Sequence, residues 1–166
     1  MTRRVFILAV IGAGTALALL PQNAKTDINI APFKVIQAVQ ETFFPKALKA
    51  PSALEFGATN YLLKVSSHSS FLKSDLNFLL YGAELLINAQ NDFLTMNPKE
   101  RDEALRDFVN SSDKAENWAS LLLFYTLEAL LSDPIYGGNK NQLGWKWLGH
   151  HTGQPRPKVK FAGEVS

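Results

Sequence analysis

From residue 28 onward, apolar residues recur at three- and four-residue steps, the period of helices that bury one stripe. The first run covers residues 28–44, past an Asp27 that opens the folded part. Phe33, Ile36, Val39 and Phe43 make its stripe, Pro32 sits in its first turn, and Pro45 stops it. After a connection at 46–51, Ser52 and Glu55 have the spacing of a capping box. The helix they open carries Leu54, Ala58, Tyr61, Leu62 and Val65. A serine-rich stretch at 65–70 dilutes the pattern and reads as a loop. In residues 71–96, Leu72, Leu76, Leu79, Leu86 and Phe93 keep helical spacing beside Phe78, Leu85 and Ala89, with Ser70 or Ser74 as the cap. Asn97-Pro98-Lys99-Glu100 is a further helix start, with Leu105, Phe108 and Val109 as its apolar face. Asp113 with Glu116 repeats the cap-plus-acid pattern. The run at 114–131 is the most apolar, with Trp118, Leu121, Leu122, Phe124, Tyr125, Leu127, Leu130 and Leu131. An arc that wide predicts the central helix of a bundle.

No run shows the alternation and β-branched enrichment of strands, and no repeat of solenoid period is present. The predicted class is all-α: one bundle of about five helices over residues 25–131. Residues 132–166 change character. Asp133-Pro134 opens a turn and Gly137-Gly138 permits positive φ. Trp145 and Trp147 then stand among glycines, ahead of Pro155 and Pro157. A segment this rich in Gly and Pro predicts an irregular tail rather than a helix. A free tail has little use for two tryptophans, so they pack on the bundle, on a partner protein, or on both.

The first twenty residues differ from all of this. Arg3 and Arg4 precede an uncharged apolar run from Val5 to Leu20, ended by Pro21. That is the charged and apolar part of an export signal, short of the ~20 residues of a spanning helix. Arg3-Arg4-Val5-Phe6-Ile7 has the form of a twin-arginine signal, the route for proteins exported already folded. The signal is assigned to residues 1–24, with Arg3, Arg4 and Phe6 as its recognition residues. Cleavage and retention as an anchor both stay open. Gly12 and Gly14 imitate a dinucleotide-binding turn, but Leu17 stands where a third small residue is needed and no βαβ pattern follows.

Composition narrows the chemistry. The 166 residues carry 17 Lys+Arg, 15 Asp+Glu, three His and no Cys. A net charge of +2 argues for no nucleic-acid partner. Without cysteine there is no thiolate nucleophile, iron–sulfur ligation or Cys-x-x-Cys-His haem site in the chain. No P-loop, His-Glu-x-x-His, Gly-x-Ser-x-Gly or paired Glu-x-x-His motif is found. His68 lies in the serine-rich loop, and adjacent residues such as His150 and His151 point apart on an extended segment, a poor start for a metal. Asp102, Glu103 and Asp107 read as a solvated face with Arg101 and Arg106. Glu128, in the most apolar helix, needs an exposed edge or a partner within the bundle. Asp75, Glu84 and Asp92 read the same way.

The block Asp133-Pro134-Ile135-Tyr136-Gly137-Gly138-Asn139, followed by Gly144-Trp145-Lys146, resembles the C-terminal signature of the gluconate 2-dehydrogenase subunit 3 family. The helix start from Asn97 to Arg106 and the Ala53-to-Ala58 stretch are similar to the family too, and the likeness runs over most of residues 28–150. The resemblance implies a heteromeric, membrane-associated enzyme acting on sugars, sugar acids or polyols. A large subunit of the glucose–methanol–choline type would hold FAD and perform the hydride chemistry. A cytochrome c subunit with haem c, or a separate cytochrome, would take the electrons. The small subunit would have no catalytic, cofactor or metal site. It would stabilise the flavoprotein and carry it through the twin-arginine translocase into the periplasm. The expected partner-binding residues are Asp133, Pro134, Tyr136, Gly137, Gly138, Asn139, Trp145, Trp147 and His150. A standalone periplasmic helical protein for a small ligand is the alternative from another class, and predicts a closed apolar pocket.

Overall fold

The computed structural model describes residues 31–46 and 49–158. Arg3, Arg4, Phe6 and the rest of the leader lie outside these residues. The described residues hold seven α-helices, two 3-10 turns and no strand. The predicted all-α class is therefore observed, with two more helices than the five expected.

Helix α1 (Ala31–Phe43) buries Val35, Ile36 and Val39, as its stripe requires. At Ser52 the capping box closes: the Ser52 N–H donates to Glu55 at 2.8 Å and the Glu55 N–H to the Ser52 hydroxyl at 3.3 Å. The helix it starts, α2 (Ala53–Phe56), lasts one turn. Gly57 ends it at φ +80, a conformation that costs glycine little, and its carbonyl opens α3 (Ala58–Ser66). One predicted helix is thus two, and Leu54, expected in its buried stripe, is 65% exposed.

Helix α4 (Lys73–Ala89) ends earlier than the 71–96 periodicity predicts. Its N-cap is Leu72, which is exposed; neither Ser70 nor Ser74 caps it, and the Ser74 hydroxyl donates to Asp75 instead. The turn that follows is tied down by Arg101, whose guanidinium donates to the carbonyls of Phe93, Leu94 and Met96. Arg101 thus serves the backbone, not the solvated charged face expected of it. Helix α5 (Pro98–Asn110) starts where predicted, in a complete Asn97–Glu100 capping box. Helix α6 (Asp113–Leu131) is capped by Ser112 rather than Asp113, which occupies the first turn as a favourable acid.

Helix α6 is central: α2, α3, α4 and α5 all pack on it. The main core gathers Ile36, Leu62, Leu79, Leu86, Phe108, Trp118 and Leu122 around it. A polar bridge, fully buried at Gln40 and Thr126 and half-buried at Thr59, crosses this core. Gln40 accepts from the Thr59 hydroxyl at 2.7 Å and donates to the Thr126 hydroxyl at 3.2 Å, joining α1, α3 and α6. Two tyrosines clip the flanks: Tyr61 donates to Glu128 at 3.2 Å and Tyr125 to Asp75 at 2.7 Å. Burial pushes both phenols well above their ordinary range, and the carboxylate each one meets adds to it. Glu128 therefore finds its partner in a phenol inside the bundle. A second, smaller core holds Phe56, Tyr61, Val65 and Leu130, and the C-terminal segment lies against it.

Candidate functional site

The residues after α6 form a built structure. Asp133 caps a 3-10 turn (Pro134–Tyr136), accepting the Ile135 N–H at 3.0 Å. A second 3-10 turn (Lys140–Gln142) leads into α7 (Leu143–Leu148). The expectation of a wholly irregular tail is corrected here: six residues are α-helical despite Gly144. They are helical because tertiary contacts hold them. Gly138 and Gly144 let the chain lie directly on α6, where a Cβ on either would run into the Ala129 or Leu130 backbone. Asn139 is fully buried, with φ 44. Its amide donates to the Ser132 carbonyl at 3.0 Å, and its Oδ1 accepts the Gly144 N–H at 2.8 Å. Asn139, Asn141 and Gln142 all hold left-handed backbone, which costs free energy that these contacts must offset.

Trp145 completes the seat. Only 6% of it is exposed, and its indole N–H donates to the Leu131 carbonyl at 2.8 Å. The Arg156 guanidinium lies over the ring, 5.1 Å from the centroid. The same guanidinium donates to both oxygens of Asp133, at 2.9 Å each. Those bonds, with help from the Ile135 N–H, hold the Asp133 carboxyl below its ordinary pKa against the opposing effect of burial.

The predicted binding residues therefore divide. Asp133, Gly138, Asn139 and Trp145 are spent on the chain's own packing, so Trp145 is not an exposed anchor. Pro134 and Tyr136 are half-buried in the 3-10 turn. The Gly137 carbonyl accepts from Asn60 at 2.9 Å. Trp147 (43% exposed) and Leu148 present apolar surface on α7, and His150 is exposed beyond them. Phe124, Leu127 and Leu131 are exposed on α6 at helical spacing, so part of the wide apolar arc faces solvent. On the other flank, a groove of about 580 Å³ runs between α3 and the signature loop, lined by Leu54, Asn60, Leu63, Lys64, Gly137 and Asn141. Sequence reasoning missed Arg156, Asn60 and the exposed Leu54–Leu63 pair. An arginine between Pro155 and Pro157 was the one signal for the first.

Among the described residues, no three His, Asp or Glu side chains converge as metal ligands, and no helix is long and apolar enough to cross a membrane. The profile of the family described as Gluconate 2-dehydrogenase subunit 3 matches residues 31–153, a span that holds both capping boxes, the signature block and α7. The chain belongs to the gluconate 2-dehydrogenase subunit 3 family. No curated protein and no solved structure matches it. Family membership makes it a small accessory subunit of a multi-subunit dehydrogenase complex. Within this subunit 3 fold, the signature residues have a visible physical role, which is to fix α7 and its exposed indole on the end of the central helix.

Proposed function

We propose that the chain is the non-catalytic small subunit of a periplasmic, membrane-associated FAD-dependent dehydrogenase of the glucose–methanol–choline type, acting on sugars, sugar acids or polyols. FAD would sit in the large partner, and haem c in a further electron-accepting subunit. This chain's work would be adhesion: it stabilises the flavoprotein and lends it a twin-arginine signal. The observation that carries the reading is the family match over residues 31–153. The surface supports it. Apolar side chains remain uncovered on both flanks of the signature segment, Trp147 and Leu148 on one and Leu54 and Leu63 on the other. Exposed apolar patches of this kind mark protein contacts. A rigid platform lowers the entropy lost on docking, which is what the Asn139 and Arg156 contacts provide.

The export half is tested by Arg3→Lys with Arg4→Lys in the native host. Charge is kept, so an ordinary secretory leader would still work. The expected result is retention of both this chain and the flavin-containing chain in the cytoplasm. Normal export of both removes the twin-arginine claim.

A further inference from the structure

A second cavity, of about 250 Å³, shares no lining residue with the signature groove. It lies among α4, α5 and the start of α6. Phe78, Leu85, Phe108 and Trp118 make its apolar walls, and Tyr81 and Lys114 stand exposed at its rim. The walls are fixed. Trp118 is 1% exposed, its indole N–H donates to the Leu79 carbonyl at 2.9 Å, and its ring meets Phe108 edge-on at 5.7 Å. Gly82 makes room for that indole, because a Cβ there would run into the ring. No carboxylate lines the cavity. The charged group at its rim is the Lys114 ammonium, held 4.4 Å from the Tyr81 ring centroid and in no ion pair among the described residues. Ser112 beside it accepts the Ala115 N–H and keeps its own hydroxyl proton to donate.

We propose that this cavity binds a small amphiphilic anion, with a single-ring or short alkyl body against Trp118 and a carboxylate at Lys114 and Ser112. Size sets the class. The cavity exceeds the ~150 Å³ that accepts benzene and falls short of the ~300–1,000 Å³ of drug-sized sites. Charge sets the polarity, because an ammonium at the rim with no carboxylate lining the cavity favours an anionic head and disfavours a cationic one. The reading goes beyond the accessory role and does not depend on it.

The test titrates sodium octanoate into the full-length chain and follows the Trp118 indole N–H resonance. Saturable one-site binding is expected, with shifts gathered at Gly82, Ala115 and Trp118. Lys114→Glu, at an exposed first-turn position that tolerates an acid, should weaken it about tenfold or more, and octanol should bind correspondingly less well. Ala89→Trp should close the rim and abolish the shifts. Absence of saturable shifts at Trp118 would overturn the proposal. So would equal affinity for octanoate and octanol with no effect of Lys114→Glu. Loss of binding once the chain is in its complex would overturn it too, by giving the cavity to a partner side chain.

Discussion

The Oδ1 of Asn139 accepts the N–H of Gly144 at 2.8 Å, and this bond starts α7. The other end of the same side chain holds the Ser132 carbonyl at the end of α6. Asn139→Leu keeps the volume but orphans two backbone groups and puts a branched residue at φ 44. It should cost about 2–4 kcal/mol in urea unfolding. In a background with Trp118→Phe and Trp147→Phe, so that Trp145 alone emits, its emission should shift to the red before global unfolding. Equal stability with unchanged emission would contradict the role given to Asn139.

Gly144→Ala tests close approach by itself. The added methyl would meet the Leu130 carbonyl, a backbone atom that cannot step aside. A loss of about 1–3 kcal/mol is expected, the range for overpacking. Gly153→Ala, with open space around its Cβ position, should be near neutral. In the same single-tryptophan background, acrylamide quenching of Trp145 should rise in the first variant only.

Acid should loosen the Arg156 strap. Asp133 has its folded pKa depressed, so its contribution is complete above the unfolded value of about 3.9. That contribution fades as pH falls through the lower folded value. Asp133→Asn should therefore be less stable than the parent at neutral pH, and the gap should close below about pH 4. A gap that persists undiminished in acid would assign the loss to packing instead of charge.

Some of this is legible in the chain and some is not, for identifiable reasons. Both capping boxes, Ser52–Glu55 and Asn97–Glu100, are readable because their signal lies within four residues. The central place of α6 follows from its apolar arc. The helix α7 is illegible locally: Gly144 argues against it, and what holds it is Asn139 five positions earlier and Leu131 fourteen residues before Trp145. Arg101 looks like one more surface charge because its three acceptors are backbone carbonyls. The docking surface is half legible. The sequence points to Trp147 and Trp145 for the same reason, yet the first is exposed and the second buried. Two indoles two residues apart on a short helix face different ways, and sequence does not say which way is inward.

Gln40 should respond to substitution in the opposite way from an exposed glutamine. Gln40→Leu removes both bonds and leaves the Thr59 hydroxyl without its acceptor. A loss of about 1–3 kcal/mol is expected from calorimetry. The paired variant Gln40→Leu with Thr59→Val should recover part of it, since removing both polar groups is cheaper than orphaning one. No recovery would contradict the bridge.

The most direct test of the accessory role is co-purification from the native host through a tag on this chain. The account predicts a large flavin-containing chain in the eluate, seen by its yellow absorbance, and turnover that belongs to that chain. It also predicts that Trp147→Ala with Leu63→Glu, both at exposed positions, leaves this chain folded but weakens the complex by about 2 kcal/mol or more. Recovery of this chain alone, or with a flavoprotein whose retention ignores both substitutions, would contradict it.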